Sequence, residues 1–260
     1  MNVLFYKYQG TGNDFIIIDN RNNSIGAIPK QTIEKLCNRR FGIGADGLML
    51  LQNKAAYDFE MVYYNSDGNE SSMCGNGGRC IVAFAQSLNL ITDRAKFSAS
   101  DGDHEAIVKS GCISLKMNDV KNIEKNTDFY FLNTGSPHYV RFVDDIASYS
   151  VFEEGKKIRN NNRFKAAGTN VNFIEKTGEE LFVRTYERGV EAETYSCGTG
   201  VTAAALVASV NDIATGNNYC NIKTLGGSLK VKFNKLSDYT FSDIWLEGPA
   251  TFVFKGKIEI

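Results

Sequence analysis

The chain has 260 residues and carries 29 basic and 30 acidic side chains, which give a net charge of -1. This balance, with no basic stripe, disfavours a dedicated nucleic-acid-binding protein. Hydrophobic residues make up 43 % of the chain, which is ample for a buried core. No apolar run approaches the ~20 residues that cross a bilayer, and no secretory signal is visible. We therefore expect a cytoplasmic protein with reduced cysteines and with neither a membrane nor a nucleic-acid partner.

Strand-like patterns dominate the chain. Alternating or β-branched runs predict strands at residues 14–19, 47–51, 57–65, 112–117, 170–175, 181–187 and 229–233. Helical patterns are fewer, at residues 30–40, 75–88 and 198–213. The second and third of these helices are apolar on nearly every side, which is typical of buried helices. The mixture indicates an α+β protein.

The two apolar helices begin in the same way. Each follows a C-G-x-G sequence, CGNG at 74–77 and CGTG at 197–200. The segments GTGNDFIIID (10–19) and GTNVNFIEK (168–176) also resemble each other, with unequal spacing that excludes a regular solenoid repeat. We predict two pseudo-symmetric domains, each a strand-rich, barrel-like wall around a central apolar helix, with the boundary after residue 118.

Cys74 and Cys197 are the candidate catalytic residues. A cysteine at a helix N-terminus meets unpaired backbone N–H groups and the positive end of the helix dipole, which favour the thiolate. The neighbouring glycines let an anion such as a carboxylate approach the amides closely. The other four cysteines, Cys37, Cys80, Cys112 and Cys220, lack flanking glycines and are predicted to be small core residues.

Several chemistries could use two cysteines. A zinc site is disfavoured because Cys74 and Cys80 are separated by five residues and the chain has only two histidines, so no metal is expected. A cysteine-nucleophile hydrolase could pair Cys74 or Cys197 with His138, but one histidine does not explain two matched cysteines. A redox dithiol normally uses one C-x-x-C, which is absent, although a non-catalytic redox or ligand-binding module remains open.

Two-base proton transfer explains the duplication best. One thiolate removes a proton from a carbon atom, and a thiol on the opposite face delivers another, which inverts the centre. Amides at the two helix starts would hold a substrate carboxylate and stabilise the enediolate formed from it. The G-x-G-x-x-G at 42–47 precedes a strand instead of opening a helix, so it is predicted to be a turn and not a dinucleotide site.

The motifs, in order, resemble those of the diaminopimelate epimerase family. They are GTGNDF (10–15), FGIGADG (41–47), NSDGNE (65–70), MCGNGGRC (73–80), GSPH (135–138), GTNVNF (168–173), YERGVEAET (186–194), SCGTG (196–200), LGGSL (225–229) and EGPATFVFKGKI (247–258). The resemblance implies a cofactor-independent enzyme that interconverts LL- and meso-diaminopimelate in a cleft between two domains, and it suggests a homodimer. Residues 249–260 are expected to return to the first domain, which leaves 119–248 as the second.

The resemblance also assigns roles to individual residues. Cys74 and Cys197 match the acid/base pair, and His138 matches a histidine that tunes the electrostatics of the site. Residues that match substrate-binding positions are Gly75, Asn76, Gly198 and Thr199 at the helix starts, and Asn13, Asn65, Asn170, Glu187 and Arg188 elsewhere. Two positions depart from the pattern of many members: Ser136 replaces an asparagine, and Gly47 replaces a glutamine that some members carry.

Overall fold

The computed structural model describes all 260 residues and divides into two compact units, which are described one at a time. Unit 1 comprises Met1–Leu115 and Pro249–Ile260, and unit 2 comprises Lys116–Gly248. The backbone N–H of Met117 donates to the carbonyl of Ile244, so residues 116–118 belong with unit 2. No helix has the length and apolarity that a bilayer span requires.

The chain folds into four helices and eighteen strands, an α+β composition as predicted. Up to residue 116 they are β1 (Asn2–Gly10), β2 (Asn13–Asp19), α1 (Lys30–Cys37), β3 (Gly47–Gln52), β4 (Phe59–Asn65), β5 (Glu70–Ser71), α2 (Gly75–Ser87), β6 (Arg94–Ala99), β7 (Gly102–Lys109) and β8 (Cys112–Lys116). The remainder are β9 (Glu124–Lys125), β10 (Tyr130–Asn133), β11 (Pro137–Phe142), α3 (Val151–Arg159), β12 (Asn170–Thr177), β13 (Glu180–Glu187), β14 (Ala192–Thr194), α4 (Gly198–Val210), β15 (Tyr219–Thr224), β16 (Gly227–Ser237), β17 (Thr240–Pro249) and β18 (Thr251–Glu259).

Unit 1 is a mixed sheet in which most neighbouring strands are antiparallel. Strand β18 pairs with β1, β1 with β2, β3 with β4, β6 with β7, and β7 with β8, all antiparallel, and the short β5 lies against β4. The pairs β2–β3 and β4–β6 are parallel. A parallel pair needs a long crossover connection, and here α1 and α2 lie in those two connections.

Unit 2 repeats this pairing scheme strand for strand. Strand β9 pairs with β10, β10 with β11, β12 with β13, β15 with β16, and β16 with β17, all antiparallel, as do their counterparts in unit 1. The short β14 pairs with β13, as β5 does with β4. The parallel pairs are β11–β12 and β13–β15, and their crossovers contain α3 and α4. The shared topology confirms the predicted pseudo-symmetry of the two halves.

The repeat does not align as the sequence suggested. Residues 168–176 lead into β12, whose counterpart is β3, so their predicted match with residues 10–19 is wrong. The true counterpart of GTGNDF is NTGSPH (133–138), which contains the turn before β11. Gly12 and Gly135 both have positive φ in these turns, 86° and 111°. The two segments look alike because both contain buried apolar strands. The composition of a strand reflects its burial and does not show its place in the order of the sheet.

Helices α2 and α4 lie in the cores of their units. Most of α4 has no solvent exposure, and α2 buries Cys80, Ile81, Val82 and Phe84 completely. Helix α3 was missed by the sequence analysis because Gly155 interrupts its short pattern. An added Cβ at Gly155 would lie 2.4 Å from the Cβ of Tyr186, so glycine lets α3 pack closely on β13.

Candidate active site

Cys74 and Cys197 occupy equivalent backbone positions in the two units. Each is the N-cap residue of a 13-residue helix and has extended backbone angles, φ -101° and ψ 136° for Cys74 and φ -121° and ψ 113° for Cys197. The carbonyl of Cys74 accepts from Gly78 N–H at 2.7 Å, and that of Cys197 accepts from Val201 N–H at 2.9 Å. The first-turn amides that follow each cysteine form the anion-binding end of the helix.

The two sulfur atoms have different polar neighbours. Cys74 Sγ lies 3.6 Å from the side-chain oxygen of Asn13, and Cys197 Sγ lies 3.6 Å from the hydroxyl of Thr199. Cys74 is half-buried and Cys197 is buried. Asn13 and Thr199 were both predicted as substrate-binding residues, and the structure places each of them beside the cysteine of its own unit.

The glycines of the two helix starts have different roles. A Cβ at Gly200 would lie 2.4 Å from the side-chain oxygen of Asn172 and 3.3 Å from Cys197 Sγ, so only glycine fits. At Gly77 the nearest atom to an added Cβ is Met49 Sδ at 3.4 Å, an ordinary contact. Close packing therefore requires glycine at position 200 in α4, whereas position 77 in α2 has room for a methyl group.

The buried side chains of Asn76 and Arg79 form hydrogen bonds around the start of α2. Asn76 is 1 % exposed and donates from Nδ2 to Asn13 Oδ1 at 3.3 Å. Arg79 has no solvent exposure, and its guanidinium donates to Gly75 O, Asn76 Oδ1, Thr11 Oγ1 and Pro249 O at 3.0–3.3 Å. Sequence reasoning gave Arg79 no role, although a single charged residue in an apolar helix was a visible signal.

Asn170, Glu187 and Arg188 lie at adjacent strand ends in unit 2. Asn170 begins β12, Glu187 ends β13, and Asn170 Oδ1 accepts from the backbone N–H of Arg188 at 2.8 Å. The Arg188 guanidinium donates to Ala167 O at 3.1 Å. Asn65 ends β4 in unit 1, the strand that corresponds to β13. Asn65 and Glu187 therefore end corresponding strands of the two units.

His138 is a neutral imidazole in the core of unit 2. Asn172 Nδ2 lies 3.1 Å from His138 Nδ1 and also donates to Tyr139 O at 2.9 Å. Because a carbonyl only accepts, this second bond fixes Nδ2 as the donor, and His138 Nδ1 must accept. The proton then resides on Nε2, which is buried without a hydrogen-bond partner. Burial, with a smaller contribution from Arg188, lowers the pKa of His138 to about 3.

The remaining cysteines are structural, with one exception. Burial raises the pKa of the thiols of Cys37 and Cys80 to about 12 and that of Cys220 to about 11, which makes all three unreactive. Cys112 is exposed at the start of β8, so its prediction as a core residue is wrong. The first residue of a strand beside a turn at Gly111 is not covered by the sheet.

Gly47 lies in a space that admits no side chain. An added Cβ would lie 2.5 Å from Cε2 of Tyr63 and 2.6 Å from the carbonyl of Tyr64. The glutamine that some family members carry at this position would therefore require Tyr63 to move. The space is filled by the tyrosine ring.

The fold is shared with several solved structures. A phenazine biosynthesis protein of the PhzF family from Bacillus anthracis is similar with a TM-score of 0.71 and 12 % identity, over 100 % of both chains. A probable proline racemase from Agrobacterium radiobacter K84 is similar with a TM-score of 0.72 and 12 % identity, over 99 % of this chain and 93 % of the other. The fold is thus the two-domain fold of the PhzF proteins and proline racemases.

Sequence comparison identifies the family within that fold. The model of the family described as diaminopimelate epimerase matches residues 5–121 and 130–253. A diaminopimelate epimerase of Flavobacterium psychrophilum is 52 % identical over 97 % of this chain and 99 % of its own, and one of Chlorobaculum tepidum is 40 % identical over 96 % and 99 %. The chain belongs to the diaminopimelate epimerase family, and it is an isomerase of the epimerase type.

Proposed function

We propose that the protein interconverts LL- and meso-2,6-diaminopimelate by two-base proton transfer at the α-carbon, with Cys74 and Cys197 as the bases and without pyridoxal phosphate or metal. The observation that carries this proposal is the duplicated N-cap cysteine in a chain of this family. Inversion at carbon needs a base on one face and an acid on the other, and two matched half-sites supply one each.

The helix starts explain how an α-proton can be removed at neutral pH. Loss of the proton places negative charge on the substrate carboxylate as an enediolate. The first-turn amides of Gly75 and Asn76, and of Gly198 and Thr199, are preorganised donors for that charge. One sulfur removes the α-proton as a thiolate while the other, a thiol, protonates the opposite face. Each turnover therefore exchanges the roles of the two cysteines.

The distal amino-acid end of the substrate needs groups of both charges. Arg188 offers a cation for the distal carboxylate, and Glu187 offers an acceptor for the distal ammonium. Asn13, Asn65 and Asn170 supply amide groups that can donate or accept. We propose that these five residues bind the diaminopimelate skeleton, and that His138 acts as a neutral dipole near the reacting centre.

The cellular role follows from the reaction. We propose a cytoplasmic enzyme that supplies meso-diaminopimelate for lysine and peptidoglycan precursor biosynthesis. We also propose a homodimer. Exposed apolar side chains on β1 and β18 support it, since Leu4 is 41 % exposed and Phe252, Val253 and Phe254 are 43–51 % exposed. Exposed large apolar side chains that lie close together in sequence, as Phe252, Val253 and Phe254 do, are frequent at association sites.

Solvent exchange tests the reaction directly. The purified protein is incubated with LL-diaminopimelate in heavy water, with no added pyridoxal phosphate or metal. We expect deuterium at the α-carbon together with formation of the meso isomer, measured by NMR and chiral chromatography. Meso product without deuterium at the inverted centre would contradict proton transfer with solvent-exchanging bases.

The environment of His138 disfavours the hydrolase alternative. A cysteine–histidine nucleophile needs an imidazole that accepts a proton near neutral pH. His138 has a pKa of about 3 and uses Nδ1 to accept from Asn172, so it is a weak base at physiological pH. Hydrolysis of an ester or amide substrate that is abolished by loss of one cysteine and survives loss of the other would favour that alternative instead.

A further inference from the structure

A chain of hydrogen bonds joins a buried cation to a carboxylate in unit 1. Arg79 Nη2 donates to Asn76 Oδ1 at 3.0 Å, and Asn76 Nδ2 donates to Asn13 Oδ1 at 3.3 Å. Asn13 Nδ2 then donates to Asp46 Oδ2 at 2.6 Å. Asp46 is held by Arg39, whose Nη2 lies 2.7 Å from Asp46 Oδ1. We call Arg79, Asn76, Asn13 and Asp46 the amide relay.

The ends of the amide relay fix the orientation of both amides. Guanidinium groups only donate hydrogen bonds, and ionised carboxylates only accept them. Arg79 therefore requires the oxygen of Asn76, and Asp46 requires the nitrogen of Asn13. The bond between the two amides agrees with both requirements. A reversed Asn13 would place its NH₂ group against that of Asn76 and its oxygen against Asp46.

This orientation turns an acceptor toward the catalytic sulfur. Asn13 Oδ1 is the atom that lies 3.6 Å from Cys74 Sγ. A thiol can donate a hydrogen bond to this oxygen, whereas a thiolate would meet the lone pairs of an atom that cannot turn away. A hydrogen bond to the protonated form of a group favours that form.

Unit 2 lacks every member of the amide relay. Thr199 holds the helix position of Asn76, and Thr202 holds that of Arg79 and donates to Gly198 O at 2.9 Å. Thr169 precedes β12 as Asp46 precedes β3, and Ser136 precedes β11 near the place where Asn13 begins β2. One neighbour of Cys197 is the rotatable hydroxyl of Thr199, which can donate to a thiolate.

We propose that Asp46 and Arg79 are positioning residues that hold the oxygen of Asn13 against Cys74, so that Cys74 is the thiol and Cys197 the thiolate in the substrate-free enzyme. This inference rests on the proposed two-base function, which requires one thiol and one thiolate at rest. In that resting form, Cys197 is the base for the isomer whose α-proton faces it, and the opposite isomer needs the form in which the two protonation states are exchanged.

The charges around Cys74 have both signs, so the position of the Asn13 oxygen carries the assignment. Arg79 attracts a thiolate at Cys74, whereas Asp46, at the other end of the amide relay, is paired with Arg39. Asp101 accepts from the backbone N–H of Met73 at 3.1 Å and adds a second negative charge. Cys80 is neutral because burial raises its pKa to about 12, and the negative charge of Asp14 is paired with Lys7 and Arg39.

The test measures the reactivity of each cysteine in the substrate-free protein. Iodoacetamide alkylation is followed by peptide mass spectrometry between pH 5 and 10, which reports Cys74 and Cys197 separately. In the unmodified chain we expect the midpoint for Cys197 to lie below that for Cys74. Asp46→Asn lets Asn13 reverse, because an amide at residue 46 can donate. It should raise the alkylation rate of Cys74 at pH 7 about threefold to tenfold, the equivalent of one hydrogen bond.

Asp14→Asn is the matched control, since it removes a neighbouring carboxylate that shares Arg39 with Asp46 and keeps the backbone N–H that donates to Asp46. It should change the Cys74 rate much less than Asp46→Asn does, and neither variant should change the Cys197 rate. An unchanged Cys74 profile in Asp46→Asn, an equal effect of Asp14→Asn, or a lower midpoint for Cys74 than for Cys197 would each overturn the proposal. Failure of the epimerase assay with an intact Asp46 effect would instead refute the function and leave the positioning role in place.

Discussion

His138 Nδ1 accepts a hydrogen bond from the side-chain amide of Asn172, 3.1 Å away, at a position without solvent exposure. The hydrogen bond from Asn172 determines the tautomer of His138, and burial keeps its imidazole neutral. A histidine in this condition resists protonation as long as the protein stays folded. The consequence can be measured as a dependence of stability on pH.

We expect His138 to destabilise the folded protein in acid. Its folded pKa of about 3 lies below the ordinary unfolded value of ~6.5, so only the unfolded chain binds the proton between these values. Stability is therefore complete above pH ~6.5 and falls as the pH drops toward 3, by about 2 kcal/mol at pH 5. Urea unfolding of the wild type and of His138→Gln at pH 7.5 and 5 should show this loss in the difference between the two proteins.

His104→Gln is the control for this measurement, because it removes the only other histidine. It should keep the pH dependence of the wild type. An identical acid slope in His138→Gln and the wild type would show that His138 is not the group responsible.

Each catalytic cysteine should be indispensable for inversion. Cys74→Ala and Cys197→Ala should each lower kcat for epimerisation by about 10²–10⁴-fold or more, because each removes a general acid/base. Cys112→Ala, at an exposed position at the start of β8, should keep full activity. Chiral chromatography of the diaminopimelate isomers reads all three variants, and substantial epimerisation by either active-site variant would refute the two-base mechanism.

The two helix starts should respond differently to one added methyl group. Gly200→Ala places a Cβ 2.4 Å from Asn172 Oδ1 and beside Cys197, so we expect a loss of about 1–3 kcal/mol in stability and a marked fall in kcat. Gly77→Ala meets nothing closer than 3.4 Å and should be nearly neutral in stability. Denaturant unfolding and the epimerase assay provide the two measurements. Equal effects in the two variants would contradict the packing described here.

Arg79 should be more important for stability than an exposed arginine. Arg79→Ala removes the donor from four buried or half-buried oxygens, including those of Thr11 and Pro249, and should cost about 3 kcal/mol or more. Arg94→Ala, at an exposed position at the start of β6, should change stability by less than about 0.5 kcal/mol. The free energy of unfolding in urea distinguishes them. A small loss in Arg79→Ala would show that water replaces the guanidinium.

The main helices and strands could be predicted from the sequence because each has an apolar pattern within its own segment. The apolar helices α2 and α4, the central strands β3, β4, β12 and β13, and the turn at 42–47 were all predicted. Helix α3 and short strands such as β5, β9 and β14 were missed because half-exposed short elements such as Val151–Arg159 have weak periodicity. The order of strands escaped too, because pairing such as that of β11 with β12 joins distant residues.

The candidate site shows the same division. The cysteines and the helix-start amides stand out because glycine and cysteine signal special backbone chemistry locally, whereas the strand-end asparagines were assigned by resemblance to the family. Asp46 and Arg79 do not, since their importance lies in which atoms of Asn13 and Asn76 they orient. A sequence pattern within one segment cannot show that residues 13 and 46 form a hydrogen bond, or which of them donates it.

The last strand has a consequence for biosynthesis. Strand β18 pairs with β1 along its whole length, and the amino group of Met1 donates to Ile260 O at 2.8 Å. Unit 1 therefore lacks β18 until residues 249–260 have been synthesised, whereas unit 2 is one continuous segment that is finished earlier. The half with Cys197 can complete its fold first, and the half with Cys74 closes last. Adjacent termini also allow a circular permutant, with the ends joined and the chain opened in a surface loop of unit 2, in which unit 1 would instead be synthesised without interruption.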